Sequence, residues 1–113
     1  MHELGLCSSI VEAVQRRAGD RSVARVRVRM GQLHHVHPEA FEQSFAVASA
    51  GTVAENAVAE LVLLPVRARC TACETEWECD EPPIACELCG AAGPEVIGGD
   101  ELVLESIEYR ATR

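Results

Sequence analysis

Between Leu4 and Ala18 the apolar residues recur at helical spacing. Leu4, Cys7, Ile10, Val11, Val14 and Ala18 fall on one face, and Gly19 stands where such a helix would stop. After Ser22 the period changes to two. Ala24, Val26, Val28 and Met30 alternate with Arg25, Arg27 and Arg29, which predicts a half-buried strand with a basic outer face. The Arg row is read as solvated charge in preference to a docking stripe. Residues 31–37 read as a loop. Pro38 suits the first turn of a second helix, with Phe41, Phe45 and Ala48 on its buried side and Gly51 at its end. Thr52-Val-Ala-Glu55 matches a capping box and predicts the start of a short third helix. Residues 60–69 predict a strand; Pro65 removes one ladder hydrogen bond, so that strand belongs at an edge or carries a bulge.

The pattern then breaks. Residues 70–99 are rich in turn residues: Pro82-Pro83, Gly90, Gly93-Pro94 and Gly98-Gly99. Strand character returns over 101–109 with Leu102, Val103, Leu104, Ile107 and Tyr109. The fold class expected is α+β: a small mixed three-stranded sheet from residues 23–30, 60–69 and 101–109, helices on one face, and an inserted zinc-ribbon-like lobe. The expected domains are 1–69 with 100–113, and 70–99.

Composition sharpens this picture. Hydrophobic residues are 48% of the 113 residues, enough for a core, and with only 4% aromatic that core must be mostly aliphatic. The net charge of −8 is unevenly spread. Residues 1–69 hold eight Arg against seven acids; residues 70–113 hold two Arg against eleven acids. An acidic cysteine-bearing part is a poor phosphate binder, which argues against nucleic acid as partner. The start of the chain lacks a signal peptide's basic and apolar regions, and no apolar run suits a membrane span. A cytoplasmic protein without membrane contact is expected, and in that compartment six cysteines favour metal over disulfides.

Cys70-Thr-Ala-Cys73 and Cys86-Glu-Leu-Cys89 are separated by twelve residues, slightly fewer than the roughly 15–20 usual between such pairs. Each Cys-x-x-Cys can bend so that both sulfurs face one point, and two such turns complete a thiolate tetrahedron suited to zinc. The residues between the pairs, including Glu76-Trp77-Glu78, are expected to make a short hairpin-like excursion. Four protein ligands leave no position for a catalytic water, so a closed structural Zn(II) site is expected. A dithiol redox role is the weaker reading. Cys79 is read as a bystander able to replace a damaged ligand, and Cys7 as a packed thiol of the first helix.

Met1-His2-Glu3 offers a second chemistry. A free terminal amine, the His2 amide nitrogen and the His2 imidazole can chelate one metal in adjoining rings, with the Glu3 amide as a fourth nitrogen. A square of nitrogens favours nickel(II) or copper(II) over zinc. His34, His35 and His37 are candidates for another metal site, but the favoured reading is a polar loop leading into the Pro38 helix, with His37 near its cap.

Taken together, the opening Met-His-Glu-Leu, Gly31-Gln32-Leu33, Pro38-Glu39-Ala-Phe41, Gly51-Thr52 and the two cysteine pairs resemble the HypA/HybF family of nickel metallochaperones for [NiFe]-hydrogenase maturation. The resemblance covers essentially the whole chain. It implies a nickel-binding α/β domain with an inserted zinc domain. It implies Ni(II) as cargo at Met1, His2 and Glu3, and structural Zn(II) at Cys70, Cys73, Cys86 and Cys89. The implied partners are a HypB-type GTPase and the hydrogenase large-subunit precursor that receives nickel, with the chain acting as monomer or homodimer. Some members carry a His beside the cysteine pairs; this chain has none there. Acid-sensitive ligand exchange at zinc and a urease-directed role are therefore not expected.

The leading expectation is a nickel carrier without turnover. The alternative is a zinc-ribbon interaction module binding nucleic acid or protein. An enzyme ranks third, since no nucleophile paired with a base is evident. A carrier of this kind needs an unextended N-terminus, and a nucleic-acid module needs a basic surface.

Overall fold

The computed structural model describes residues 2–111, with side chains from Glu3 onward. Two helices and six strands follow one another: α1 (His2–Ala18), β1 (Val23–Gly31), a 3-10 turn (Gln32–His34), α2 (Pro38–Ser49), β2 (Val58–Leu64), β3 (Val66–Arg69), β4 (Glu76–Cys79), β5 (Glu95–Gly98) and β6 (Leu102–Tyr109). The strands form two three-stranded sheets, in orders β2-β1-β6 and β4-β3-β5. The architecture is α+β. The chain divides into two compact units: one takes in the chain up to Arg29, Val36–Val62 and the chain from Val103 on; the other takes in Met30–His35 and Leu63–Leu102.

In the first unit the helices bury the stripes that their spacing dictates. Cys7, Ile10, Val11, Val14 and Ala18 of α1 are buried, as are Phe41 and Phe45 of α2. Leu4, expected on the same stripe, is 37% exposed, in the first turn of the helix. The two phenyl rings stack with centroids 6.3 Å apart, and Cys7 Sγ lies 3.5 Å from the Phe41 carbonyl oxygen, tying α1 to α2. Pro38 opens α2, where its missing N–H costs nothing. Ser49, not Ala48, completes the buried face.

Strand β1 alternates as expected, with Val26 and Val28 fully buried and Arg25, Arg27 and Arg29 exposed. The Arg row is not simply solvated. Arg27 Nε lies 4.0 Å from Glu60 of β2 and 3.5 Å from Glu105 of β6, Arg29 lies 3.5 Å from Glu105, and Arg25 lies 3.8 Å from Glu108. An ion-pair ladder thus crosses all three strands on the face opposite the buried valines.

Two expectations fail for identifiable reasons. Residues 52–57 form turns, not a third helix. Thr52 Oγ1 accepts from the Ala54 N–H (3.1 Å) and donates to the Ser49 carbonyl (2.7 Å). Those bonds close a turn, and Asn56 at φ 65° reverses the chain before any helix can propagate. Residues 60–69 are not one strand. Without an N–H at Pro65 the ladder ends, and the chain leaves one sheet as β2 and enters the other as β3. In its new sheet β3 is central and pairs antiparallel with β4 (Val66↔Cys79, Ala68↔Trp77) and with β5 (Ala68↔Val96). Strand β4 falls within the hairpin-like excursion expected between the cysteine pairs; β5 was not expected. Strand β6, by contrast, joins β1.

Candidate metal centre

Two loops of the second unit are built alike. Where β3 ends, the Cys70 N–H donates to the Thr75 carbonyl (2.9 Å) and the Glu74 N–H returns to the Cys70 carbonyl (2.9 Å). The second loop repeats these bonds, with the Cys86 N–H to Ala91 O (2.8 Å) and the Gly90 N–H to Cys86 O (2.9 Å). Inside each turn, the first cysteine's sulfur accepts two backbone N–H groups. Cys70 Sγ takes those of Ala72 (3.3 Å) and Cys73 (3.4 Å); Cys86 Sγ takes those of Leu88 (3.3 Å) and Cys89 (3.4 Å). Such donors stabilise a thiolate and orient it toward a metal.

The two turns face each other. Cys70 Sγ is 3.6 Å from Cys89 Sγ, and Cys73 Sγ is 3.8 Å from Cys86 Sγ. All four sulfurs lie within 4.8 Å of one another. Four ligands at about 2.3 Å around a tetrahedral ion stand about 3.8 Å apart, so the cage has the size of a metal-thiolate centre. Cys70 and Cys86 are buried, while Cys73 and Cys89 are exposed.

The cluster's proton chemistry also calls for a cation. Thr75, whose Oγ1 lies 3.2 Å from Cys73 Sγ, holds the Cys73 thiol down to about 6 through its side chain and its backbone. At Cys70 the Cys73 N–H is the main influence and lowers the thiol. At Cys89 the Ala91 N–H pulls down, but the neighbouring Cys70, burial, Cys73 and Cys86 prevail and push the thiol up to about 11. Four sulfurs this close cannot all ionise at neutral pH unless a positive ion compensates them.

Cys79 stays outside the cage. Its sulfur lies 3.8 Å from the Val66 carbonyl, and burial, then the Glu87 and Asp80 carboxylates, raise its thiol. Cys7 is fully buried, and burial followed by the Glu3 carboxylate pushes it up to about 11. Among the described residues the loop histidines belong to no group compact enough for a metal ion. His34 Nε2 bonds the Asp100 carbonyl at 2.9 Å, His35 has a left-handed backbone with φ 54°, and His37 is the N-cap residue of α2 without a side-chain capping bond. Among the described residues the four cysteines form the one His/Cys/Asp/Glu group compact enough for a metal ion. Met1 and the side chain of His2 lie outside the described residues. The part played by Thr75 was not foreseen; a threonine two residues past a Cys-x-x-Cys pair carries no signal of its own.

Fold and site together define a small α+β metal-binding protein with a four-thiolate ribbon centre. Residues 1–109 match the family described as "Hydrogenase/urease nickel incorporation, metallochaperone, hypA". The chain belongs to this HypA family, whose members are metal carriers and not enzymes. It is 34% identical to hydrogenase maturation factor HypA of Desulfitobacterium hafniense, over 96% of this chain and 97% of that protein. It is 37% identical to the factor of the same name from Trichormus variabilis, over 96% and 95%. The solution structure of the Ni metallochaperone HypA from Helicobacter pylori shares the fold, with a TM-score of 0.64 at 22% identity over 97% of this chain and 98% of that one. Among the described residues no helix is long and apolar enough to cross a membrane.

Proposed function

We propose that this protein carries nickel to the [NiFe]-hydrogenase large-subunit precursor during maturation, in the cytoplasm, with a HypB-type GTPase as second partner. The observation that carries this reading is the family match across residues 1–109, which takes in both the opening Met-His-Glu and the two cysteine pairs. Nickel(II) is the cargo. The ligands assigned to it are the Met1 amine, the His2 amide and imidazole and the Glu3 amide, a set of nitrogens suited to a square-planar ion. The site requires Met1 to carry a free amine.

Zinc(II) is assigned to Cys70, Cys73, Cys86 and Cys89. A full set of four thiolates holds a structural ion and offers no open position for catalysis. In this reading the domains divide the work: residues 1–69 with 100–113 handle nickel, and residues 70–99 fold around zinc. The alternative of a nucleic-acid-binding ribbon is disfavoured by the eleven acids against two Arg in residues 70–113.

The deciding experiment is a nickel titration of the untagged chain, of His2→Ala and of a form extended at its N-terminus. Tight binding is expected in the first alone, with zinc content unchanged in all three. Equal affinity in all three forms would remove the site from the N-terminus.

A further inference from the structure

Strand β2 is an edge of its sheet, with β1 as its one strand neighbour. None of its seven residues is buried, and Glu60 is the only one that is not apolar. Edges of this composition are usually blunted by Lys, Pro or a covering loop, because their free N–H and C=O groups template another strand. Here no loop or turn among the described residues places a backbone hydrogen bond on residues 58–64. At the start of this strand, α2 and β2 line an open groove of about 390 Å³, whose walls include Phe45, Ser49, Val58 and Ala59 together with Glu42 and Glu55. No basic side chain lines it. Arg110 is held instead at the Glu55 carbonyl oxygen, 3.4 Å away.

An edge strand with a helix-bounded groove alongside is the geometry by which domains add an extended peptide to a sheet. Main-chain bonds supply affinity, and a pocket for alternate side chains supplies specificity. We propose that β2 and this groove bind an extended segment of another protein, adding it as a fourth strand. One of its apolar side chains enters the groove, and an Arg or Lys two residues along, on the same face of the added strand, meets Glu42 and Glu55. This surface does not depend on the nickel reading. A second copy of the chain does not fit the role. Its extended basic segments are β1, held between β2 and β6, and β3, held between β4 and β5. Neither can be donated without dismantling a sheet.

The test uses the full chain and two capped peptides that carry both groups on one face, a Val-Arg peptide of Thr-Val-Thr-Arg repeats and a Val-Glu peptide of Thr-Val-Thr-Glu repeats, followed by NMR titration and amide exchange. The Val-Arg peptide should shift residues 42–50 and slow exchange across 58–62. Ala46→Arg, at an exposed α2 position lining the groove, should keep the helical spectrum and weaken binding at least about tenfold, since it closes the pocket. Glu42→Gln and Glu55→Gln should each weaken it about two- to fivefold, the range for exposed ion pairs. The proposal is overturned if the Val-Glu peptide binds as well, if Ala46→Arg changes nothing, or if the footprint falls on residues 74–81. Self-association through β2 without peptide would also overturn it, by giving the edge to a second copy.

Discussion

Glu74 and Gly90 occupy the same backbone position in the two metal turns. Glu74 has φ 67° and returns its N–H to Cys70; Gly90 has φ 79° and returns its N–H to Cys86. Glycine takes this left-handed conformation freely, whereas a residue with a Cβ pays about 1–2 kcal/mol. The first turn therefore carries strain that the second does not. Glu74→Gly should stabilise the metal-loaded protein by about 0.5–1 kcal/mol, after allowing for the extra freedom glycine has when unfolded. Gly90→Ala should destabilise it by about 1–2 kcal/mol. A Cβ at Gly90 meets nothing within 4 Å, so its cost is purely conformational. Thermal unfolding of the two variants checks the pair; a stabilising Gly90→Ala would refute the account.

The cysteines should separate into two groups. Replacing Cys70, Cys73, Cys86 or Cys89 by Ser removes one corner of the cage and should cost the bound zinc, whose apparent binding contributes roughly 10–16 kcal/mol in small structural sites. Cys79→Ser and Cys7→Ser should each retain one zinc per chain, because neither sulfur is in the cage. Elemental analysis after chelator challenge is the measurement. Zinc lost from Cys79→Ser but kept by Cys73→Ser would show the assignment to be wrong.

Zinc affinity should fall with pH. At neutral pH the metal-free cluster holds a thiolate at Cys73, lowered to about 6, and a proton at Cys89, raised to about 11. Binding the ion must expel the remaining protons, so acid opposes it. Affinity declines as pH is lowered from 8 and declines faster below about 6, where Cys73 too is protonated. Competition with a chelator across that range, with proton release from calorimetry in two buffers, tests this. A flat profile would contradict it.

Arg27 contributes less than its central position suggests. Its side chain is 44% exposed, and Glu60 and Glu105 stand 4.0 and 3.5 Å away. Pairs this wet are worth at most about 1 kcal/mol and weaken with salt. Arg27→Gln should therefore lower stability by less than about 1 kcal/mol in urea unfolding at low salt, with the difference shrinking at high salt. A larger loss would mean the ladder is far less screened than its exposure implies.

Much of the first unit was legible because its periods are unbroken. Ile10, Val11 and Val14 mark a helix face, and Val26 and Val28 mark a strand face. The sulfur cage was legible because two Cys-x-x-Cys pairs leave few other arrangements. Strand β4 was legible only as part of a hairpin-like excursion, because the alternation of Glu76-Trp77-Glu78-Cys79 runs over four residues and names no partner strand. Its partner β3 was concealed inside a longer apolar run whose break at Pro65 read as a bulge. Thr52 misled in a different way. Its side chain does cap backbone groups, but in a turn, since the residues after it lack an apolar stripe to bury.

Glycine stands at the end of β1 because a second stretch of backbone lies against it. The Gly31 N–H donates to the Glu101 carbonyl (2.8 Å), and the Leu33 N–H donates to the Gly99 carbonyl (2.8 Å). These bonds draw residues 31–33 onto residues 99–101 backbone to backbone. A Cβ at position 31 would overlap the Gly99 carbonyl and lie 2.7 Å from the Asp100 nitrogen. Gly99 cannot yield easily. Its own φ is 119°, its N–H is held by the Glu101 carboxylate (3.0 Å), and a Cβ there would stand 3.0 Å from Val66 Cα. Both strands of the crossing are backbone, so no side chain can swing aside. Gly31→Ala should cost about 3 kcal/mol or more, at the upper end for overpacking, whereas Gly5→Ala, with open space around it in α1, should be neutral or stabilising. Urea unfolding of both variants decides the matter. A Gly31→Ala chain as stable as the parent would mean that the crossing is looser than its two backbone hydrogen bonds require.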